Sequence, residues 1–200
     1  GWLTKLISVK KILLILILTF SFQSFIKADD ISDFQIEGIS IGDSALNYFS
    51  EEEIKKNIRK NSYVNSDRKF YDANLSNFKF FKTYKNIQVN FKKNDKKYII
   101  QAVSGGFFYD NMDQCLIKQK EIDKDLKKMF PDANRIEYEK KFHPADKTNS
   151  SWYKPTTFYL KTGVIDLVCY DWNDDLGGSK YILISIDTNE FHEWLRTANN

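Results

Sequence analysis

Two histidines and two cysteines stand among the 200 residues, so the side chains that carry most nucleophilic, proton-transfer and soft-metal chemistry can be weighed one by one. His143 lies in Phe-His-Pro-Ala-Asp-Lys, residues 142–147, at the head of a polar run that reaches Trp152-Tyr-Lys-Pro155. An imidazole with the Asp146 carboxylate, the Lys147 ammonium and the Trp152 ring on one loop could hold a sugar or an anionic ligand. The same residues also describe an exposed connection in which Pro144 stops a strand. His192 stands beside Phe191 and Trp194 near a helix end, and reads as a dipole-compatible surface residue rather than a ligand. Two unrelated histidines offer neither zinc-site spacing nor a catalytic triad.

The sharpest candidate for a cation is Asp171-Trp-Asn-Asp-Asp-Leu-Gly-Gly178. Asp171, Asn173 and Asp175 place oxygen side chains at alternate positions ahead of glycine, as calcium loops do. An EF-hand needs glycine at its sixth position and a bidentate acid at its twelfth. Leu176 and Ile182 stand there instead. Two readings remain: a weak surface calcium site, or a hairpin in which Asn, Asp and Gly supply turn geometry. Acid pairs such as Asp174 and Asp175 could serve a glycosidase, but carboxylates are too frequent in this chain to single one pair out.

These groups need elements to position them, and the first element decides the compartment. Lys10-Lys11 lead into an apolar run from Ile12 to Phe20, a mixed segment follows to Ala28, and two aspartates come next. That is the layout of a secretory signal peptide, with a core too short to span a bilayer. Residues 1–28 are expected to be this leader, with 1–8 as upstream read-through ahead of a start at Val9. Residues 29–200 form one extracytoplasmic domain, periplasmic or secreted. No cysteine precedes residue 115, so no lipid attachment is expected at the cut and no stable membrane anchor after it. The leader carries four lysines and no acid, which turns a formal charge of +3 into −1. A near-neutral domain has no electrostatic reason to seek nucleic acid.

Export makes a Cys115–Cys169 disulfide the expectation. Cys115 falls on the apolar face of a helix, and Cys169 alternates in phase with Ile165 and Leu167 on a strand. The bridge would stabilise by roughly 4 kcal/mol on a chain-entropy model. A catalytic cysteine is disfavoured, because an apolar setting raises a thiol pKa where reactivity needs it lowered.

The rest reads as an α+β domain, helices packed on antiparallel sheet or sheets. Ser44 or Asp43 caps a short helix burying Leu46 and Phe49. Ser50-Glu-Glu-Glu53 is a capping box. Residues 61–77 read as a polar loop. Strands follow at 78–84, 87–91 and 98–103, with Asn94-Asp95 as the turn, and Gly105-Gly106 marks a bulge or bend. A helix runs from Met112 to Phe130 with Cys115, Ile122, Leu126 and Met129 on one face. Further strands are expected near 135–142, 156–161, 164–171 and 180–186, and a closing helix at 188–196. Helix, meander, helix, meander suggests two similar halves, 37–109 and 110–200. Trp152, Trp172 and Trp194 are read as core before binding face, Trp194 above all.

Gly38-Ile-Ser-Ile-Gly-Asp43 ahead of a short helix and a meander is loosely similar to small envelope proteins of the SmpA type and to tandem-repeat β-lactamase inhibitor proteins, over the first third of the chain. Asp33-Phe-Gln-Ile-Glu-Gly-Ile-Ser-Ile-Gly-Asp-Ser44, His143-Pro-Ala-Asp-Lys147 and Cys169-Tyr-Asp-Trp172 together resemble a group of exported proteins of AT-rich marine bacteria of the SAR11 kind. That resemblance spans most of the mature chain and implies export and source, with no activity to carry over. The expected function is binding, of an envelope partner or a small ligand, without a cofactor. The binding face would combine the 142–155 loop, with His143, Asp146, Lys147 and Trp152, and the hairpin of Asp171 and Trp172. The alternative is a hydrolase using His143 with a nearby carboxylate.

Overall fold

The computed structural model describes residues 30–59, 69–144 and 146–198; the expected leader lies outside them. Eight strands form one antiparallel sheet: β1 (Phe70–Ser76), β2 (Asn86–Lys92), β3 (Ile100–Tyr109), β4 (Asn134–Glu137), β5 (Lys141–Phe142), β6 (Trp152–Tyr159), β7 (Gly163–Asp171) and β8 (Lys180–Thr188). Their order across the sheet is β1-β2-β3-β8-β7-β6-β4, with β5 also paired to β6. Among the described residues three helices accompany it: α1 (Glu51–Lys56), α2 (Met112–Met129) and α3 (Asn189–Ala198). The fold is α+β. The two expected meanders meet where β3 pairs with β8, so both belong to one sheet.

Side chains alternate across a strand, so each pleat has two faces. One face carries the main core: Ala73 and Leu75 of β1, Ile87, Val89 and Phe91 of β2, Val103 of β3, Ile165, Leu167 and Cys169 of β7, and Ile182, Ile184 and Ile186 of β8. The amino-terminal segment (Ile31, Ile36, Ile39, Phe49), α1 (Ile54) and α2 (Cys115, Leu126) cover it. Both arms of the Ser50–Glu53 capping box are formed at the start of α1. Asn111 caps α2, and Pro131, which offers no N–H, follows its end. The Cys115–Cys169 disulfide ties α2 to β7, with a Cα–Cα distance of 6.1 Å. Gln119 adds a polar clasp, its amide donating to the backbone oxygens of Lys154 and Leu167 at 2.8 Å each.

Several expectations change here. Residues 70–76 are a strand, whereas 78–84 are not. In Phe-Tyr-Asp-Ala-Asn-Leu-Ser the alternation is genuine, but Asp72 and Asn74 belong to the second face, so the strand reads as polar. Phe78, Phe80 and Phe81 instead cluster around Phe49, and the connection is held by Glu37. Its carboxylate accepts from the backbone amides of Lys82, Thr83 and Tyr84 at 2.6 Å each. The short helix expected at 44–49 is a single 3₁₀ turn, Ala45–Asn47. Gly105 and Gly106 lie inside β3, in unbroken register with Ile184 and Leu183. The irregularity is at Asn90/Phe91 of the β2–β3 pair. Glycine is required at 106 by close approach: a Cβ there would stand 2.5 Å from the Ile182 carbonyl oxygen.

Candidate functional site

The second face of the sheet is where the side chains capable of chemistry gather. Its far end is covered by α3, whose Phe191 and Trp194 pack on Phe70 and Ala102. Next to α3 the register lines up polar residues across six strands: Thr157, Asp166, Ser185, Ser104, Gln88 and Asn74. Arg59 reaches the same face, donating to Asp72 at 2.5 Å and to Gln88 at 2.6 Å. Beyond the polar row come Pro155, Val168, Leu183 and Gly106, and then an aromatic row of Tyr153, Tyr170, Tyr181 and Phe108 on β6, β7, β8 and β3.

The aromatic row is a ladder. Tyr153 stacks on Tyr170 at 5.8 Å between ring centroids, Tyr170 on Tyr181 at 5.0 Å, and Phe108 meets Tyr181 at 5.5 Å. Rings that cover one another's faces show their edges and hydroxyls outward, and cross-strand aromatic pairs of this kind also stabilise the sheet. Phe108 ends the ladder 73% exposed. Trp172 continues it beyond Tyr170, with planes only 8° apart, and its indole N–H donates to the Tyr181 hydroxyl at 3.3 Å. His143 closes it, 4.1 Å from the Trp172 ring and 5.8 Å from Tyr153. Burial lowers the His143 pKa, against the opposing pull of Asp146.

The two loops expected to share a face do meet. Asp146 accepts from the backbone N–H groups of Thr148, Ser150 and Ser151 and from the Thr148 hydroxyl. The Asn173 amide reaches across from the hairpin to the same carboxylate at 3.0 Å. The Asn173 N–H donates to the Ser151 hydroxyl, also at 3.0 Å. These donors, the Thr148 side chain foremost, hold the Asp146 carboxyl well below its usual range. Asp146 is therefore a buried organiser of two loops.

The other expected residues divide. His143 and Trp172 lie together on the second face. Asp171 and Trp152, paired across β6–β7, lie on the first. Asp171 has Lys180 at 3.5 Å, and the Trp152 ring carries Lys140 at 4.2 Å. Lys147 is exposed. In the expected cation loop the Asn173 side-chain oxygen caps the 3₁₀ turn Asp174–Leu176 by accepting from the Leu176 N–H, and Asp175 is exposed. Trp152 and Trp172 are half-buried, whereas Trp194 is core.

His192 departs most from expectation. It occupies the first turn of α3, not its last, and is buried at 9% exposure. It faces Asp166 and Asp187, with Nδ1 at 3.6 and 3.7 Å from their nearer oxygens. Burial raises the pKa of both acids, that of Asp187 to about 6. The Asp187 carboxylate in turn raises that of His192, against desolvation. The Thr157 hydroxyl donates to the other oxygen of Asp166 at 2.5 Å. Sequence reading missed this cluster and the tyrosine ladder. One signal for both was present: Asp166, Tyr170, Tyr181 and Asp187 all fall on the phase opposite the apolar residues of the hairpin β7–β8.

No known protein-family model matches the chain, and no curated protein or solved structure matches it either. Among the described residues no helix is long and apolar enough to cross a membrane.

Proposed function

We propose that this chain is an exported binding module that holds a protein partner on the aromatic end of its second sheet face. One observation carries the reading. Rings from four adjacent strands and from two loops form a single surface, Phe108-Tyr181-Tyr170-Tyr153 with Trp172 and His143. Tyrosine and tryptophan give large, rigid, amphipathic contact area at low entropic cost, which is why they are enriched at interfaces. A sugar platform would lay ring faces open, whereas here the tyrosines stack on each other and present edges. The leader-like amino terminus and the disulfide support export. A hydrolase built on His143 and Asp146 draws no support from the geometry, because the Asp146 carboxylate already accepts from the loop amides and from Asn173.

The test is a photo-crosslinking amino acid placed at Phe108, compared with one at Ile117, which is also exposed but lies on α2 over the other face. In producing cells the Phe108 position is expected to give a discrete crosslinked species in the extracytoplasmic fraction that the Ile117 position does not give. No adduct at Phe108, or the same adducts at both positions, would defeat the proposal.

A further inference from the structure

The geometry points to a mononuclear site for a first-row divalent cation of the zinc class, held by His192 Nδ1 with one oxygen each from Asp166 and Asp187. The three ligand atoms come from three elements, α3, β7 and β8, and all lie within 4.8 Å of one another. The spacing is the first argument. Nδ1 stands 3.6 Å from Asp166 and 3.7 Å from Asp187, beyond the ~2.7–3.2 Å of an N–H···O hydrogen bond. Ligands bound at ~2.0–2.2 Å around a tetrahedral zinc ion lie about 3.4 Å apart. The imidazole is thus within ion-pair range of both acids but beyond hydrogen-bond distance, and nearly at the distance from which it would share an ion with them.

Both ring nitrogens of His192 are buried and neither has a hydrogen-bond partner, in a residue only 9% exposed. Buried polar atoms are nearly always paired, and an ion on Nδ1, aimed between two carboxylates, would take up that nitrogen's lone pair and leave Nε2 as the N–H. The outer contacts suit that role. Thr157 fixes one oxygen of Asp166 and leaves the other toward His192, as hydrogen-bonded carboxylate ligands are fixed. The edge of the aromatic pair Tyr159–His192, at 5.8 Å and 89°, packs the ring sideways. One nitrogen with two carboxylate oxygens suits zinc, cobalt or manganese better than calcium or magnesium, which prefer oxygen throughout. Three protein ligands leave a position open. The Asp166 side chain is the most exposed of the three, at 20%, so that position lies toward the polar row of Thr157, Ser185 and Ser104. The site is separate from the aromatic face, and its failure would leave the binding proposal standing.

The experiment uses the mature chain with its disulfide intact, stripped with a chelator, dialysed and titrated with Zn²⁺ and Co²⁺. The expected result is uptake of one equivalent, with visible Co²⁺ absorption of low-coordinate intensity and a shift of the His192 ring resonances but not those of His143, the only other histidine. His192→Asn, Asp166→Asn and Asp187→Asn should each weaken binding by more than about 100-fold, beyond what an outer-shell partner is worth. His143→Ala and Asp171→Asn should bind as the parent does. Circular dichroism checks that each variant is folded; should one not fold, the Co²⁺ spectrum and the histidine resonances of the parent chain decide. No uptake by the parent chain, or uptake unchanged in a folded His192→Asn variant, overturns the site.

Discussion

Glu37 shows how much one side chain can organise. It sits at positive φ, 54°, in the turn that brings Ile36 against Ile39, and its carboxylate takes three consecutive backbone amides from a segment 45 residues away. Burial alone would raise its pKa, but the Lys82, Tyr84 and Thr83 amides outweigh burial and hold it lowered. Glu37→Gln keeps the shape and loses the charge. Hydrogen bonds to a charged acceptor contribute ~1.5–3 kcal/mol each when intact, and much of that is returned by water at a partly exposed site. We expect a loss of about 1–2 kcal/mol, with faster hydrogen exchange confined to the amides of residues 82–84. Exchange there at the parental rate would show that the carboxylate is not what holds the segment. Such residues were invisible in the sequence, since nothing local marks Glu37 as the partner of a loop beyond β1. Asp146 was visible as a polar group on a loop, but its role was not: four of its five donors come from Thr148, Ser150 and Ser151 of its own loop, and the fifth, Asn173, arrives only when the 171–178 hairpin is in place. His192 was misplaced for a related reason: a helix-end argument needs to know which end.

At the scale of elements, the parts that were legible are those with one apolar face and local signals. The capping box of α1, the length of α2 with its buried cysteine, and the strands β2, β7 and β8 follow directly from pattern. β1 did not, because its alternation is genuine but Asp72 and Asn74 on the second face make the strand read as polar. The edge beside β6 is held by charge. Arg135 donates to both oxygens of Asp123 on α2 and to Glu137, and Lys154 adds a second bond to Glu137 at 3.0 Å. Arg135 first, then Lys154, hold the Glu137 carboxyl at about 2. A depressed carboxylate contributes stability above its unfolded pKa, near 4.5, and loses it as pH falls toward about 2. Its side chain is 44% exposed, so solvent screening keeps the contribution below ~1 kcal/mol. Urea unfolding of the parent and of Glu137→Gln should therefore differ by up to that amount at pH 7 and converge near pH 2. A gap that widens on acidification would reverse the assignment.

The whole molecule is a sheet with two unlike faces. The first face is sealed by the amino-terminal segment, α1 and α2, and joined covalently through Cys115 and Cys169. On the second, α3 covers the end around Phe70 and Ala102, and the ladder ends in a phenylalanine that is 73% exposed. A ring so open contributes little to folding, since substitutions away from buried features stay within about ±0.5 kcal/mol. A lone exposed ring is common on a protein surface, but this one terminates a run of aromatic residues across four strands. Phe108→Ser should accordingly leave the unfolding midpoint in urea unchanged within that margin. In the same variant, crosslinking to a partner from a probe at Tyr153, three strands along the ladder, should fall at least about tenfold, as loss of an aromatic anchor does. If the substitution instead destabilises the fold by 2 kcal/mol or more, the order of magnitude expected for a core aromatic, Phe108 belongs to the packing of the sheet and the ladder is structural. The two measurements on one variant thus decide whether the second face is finished by folding alone or by what binds to it.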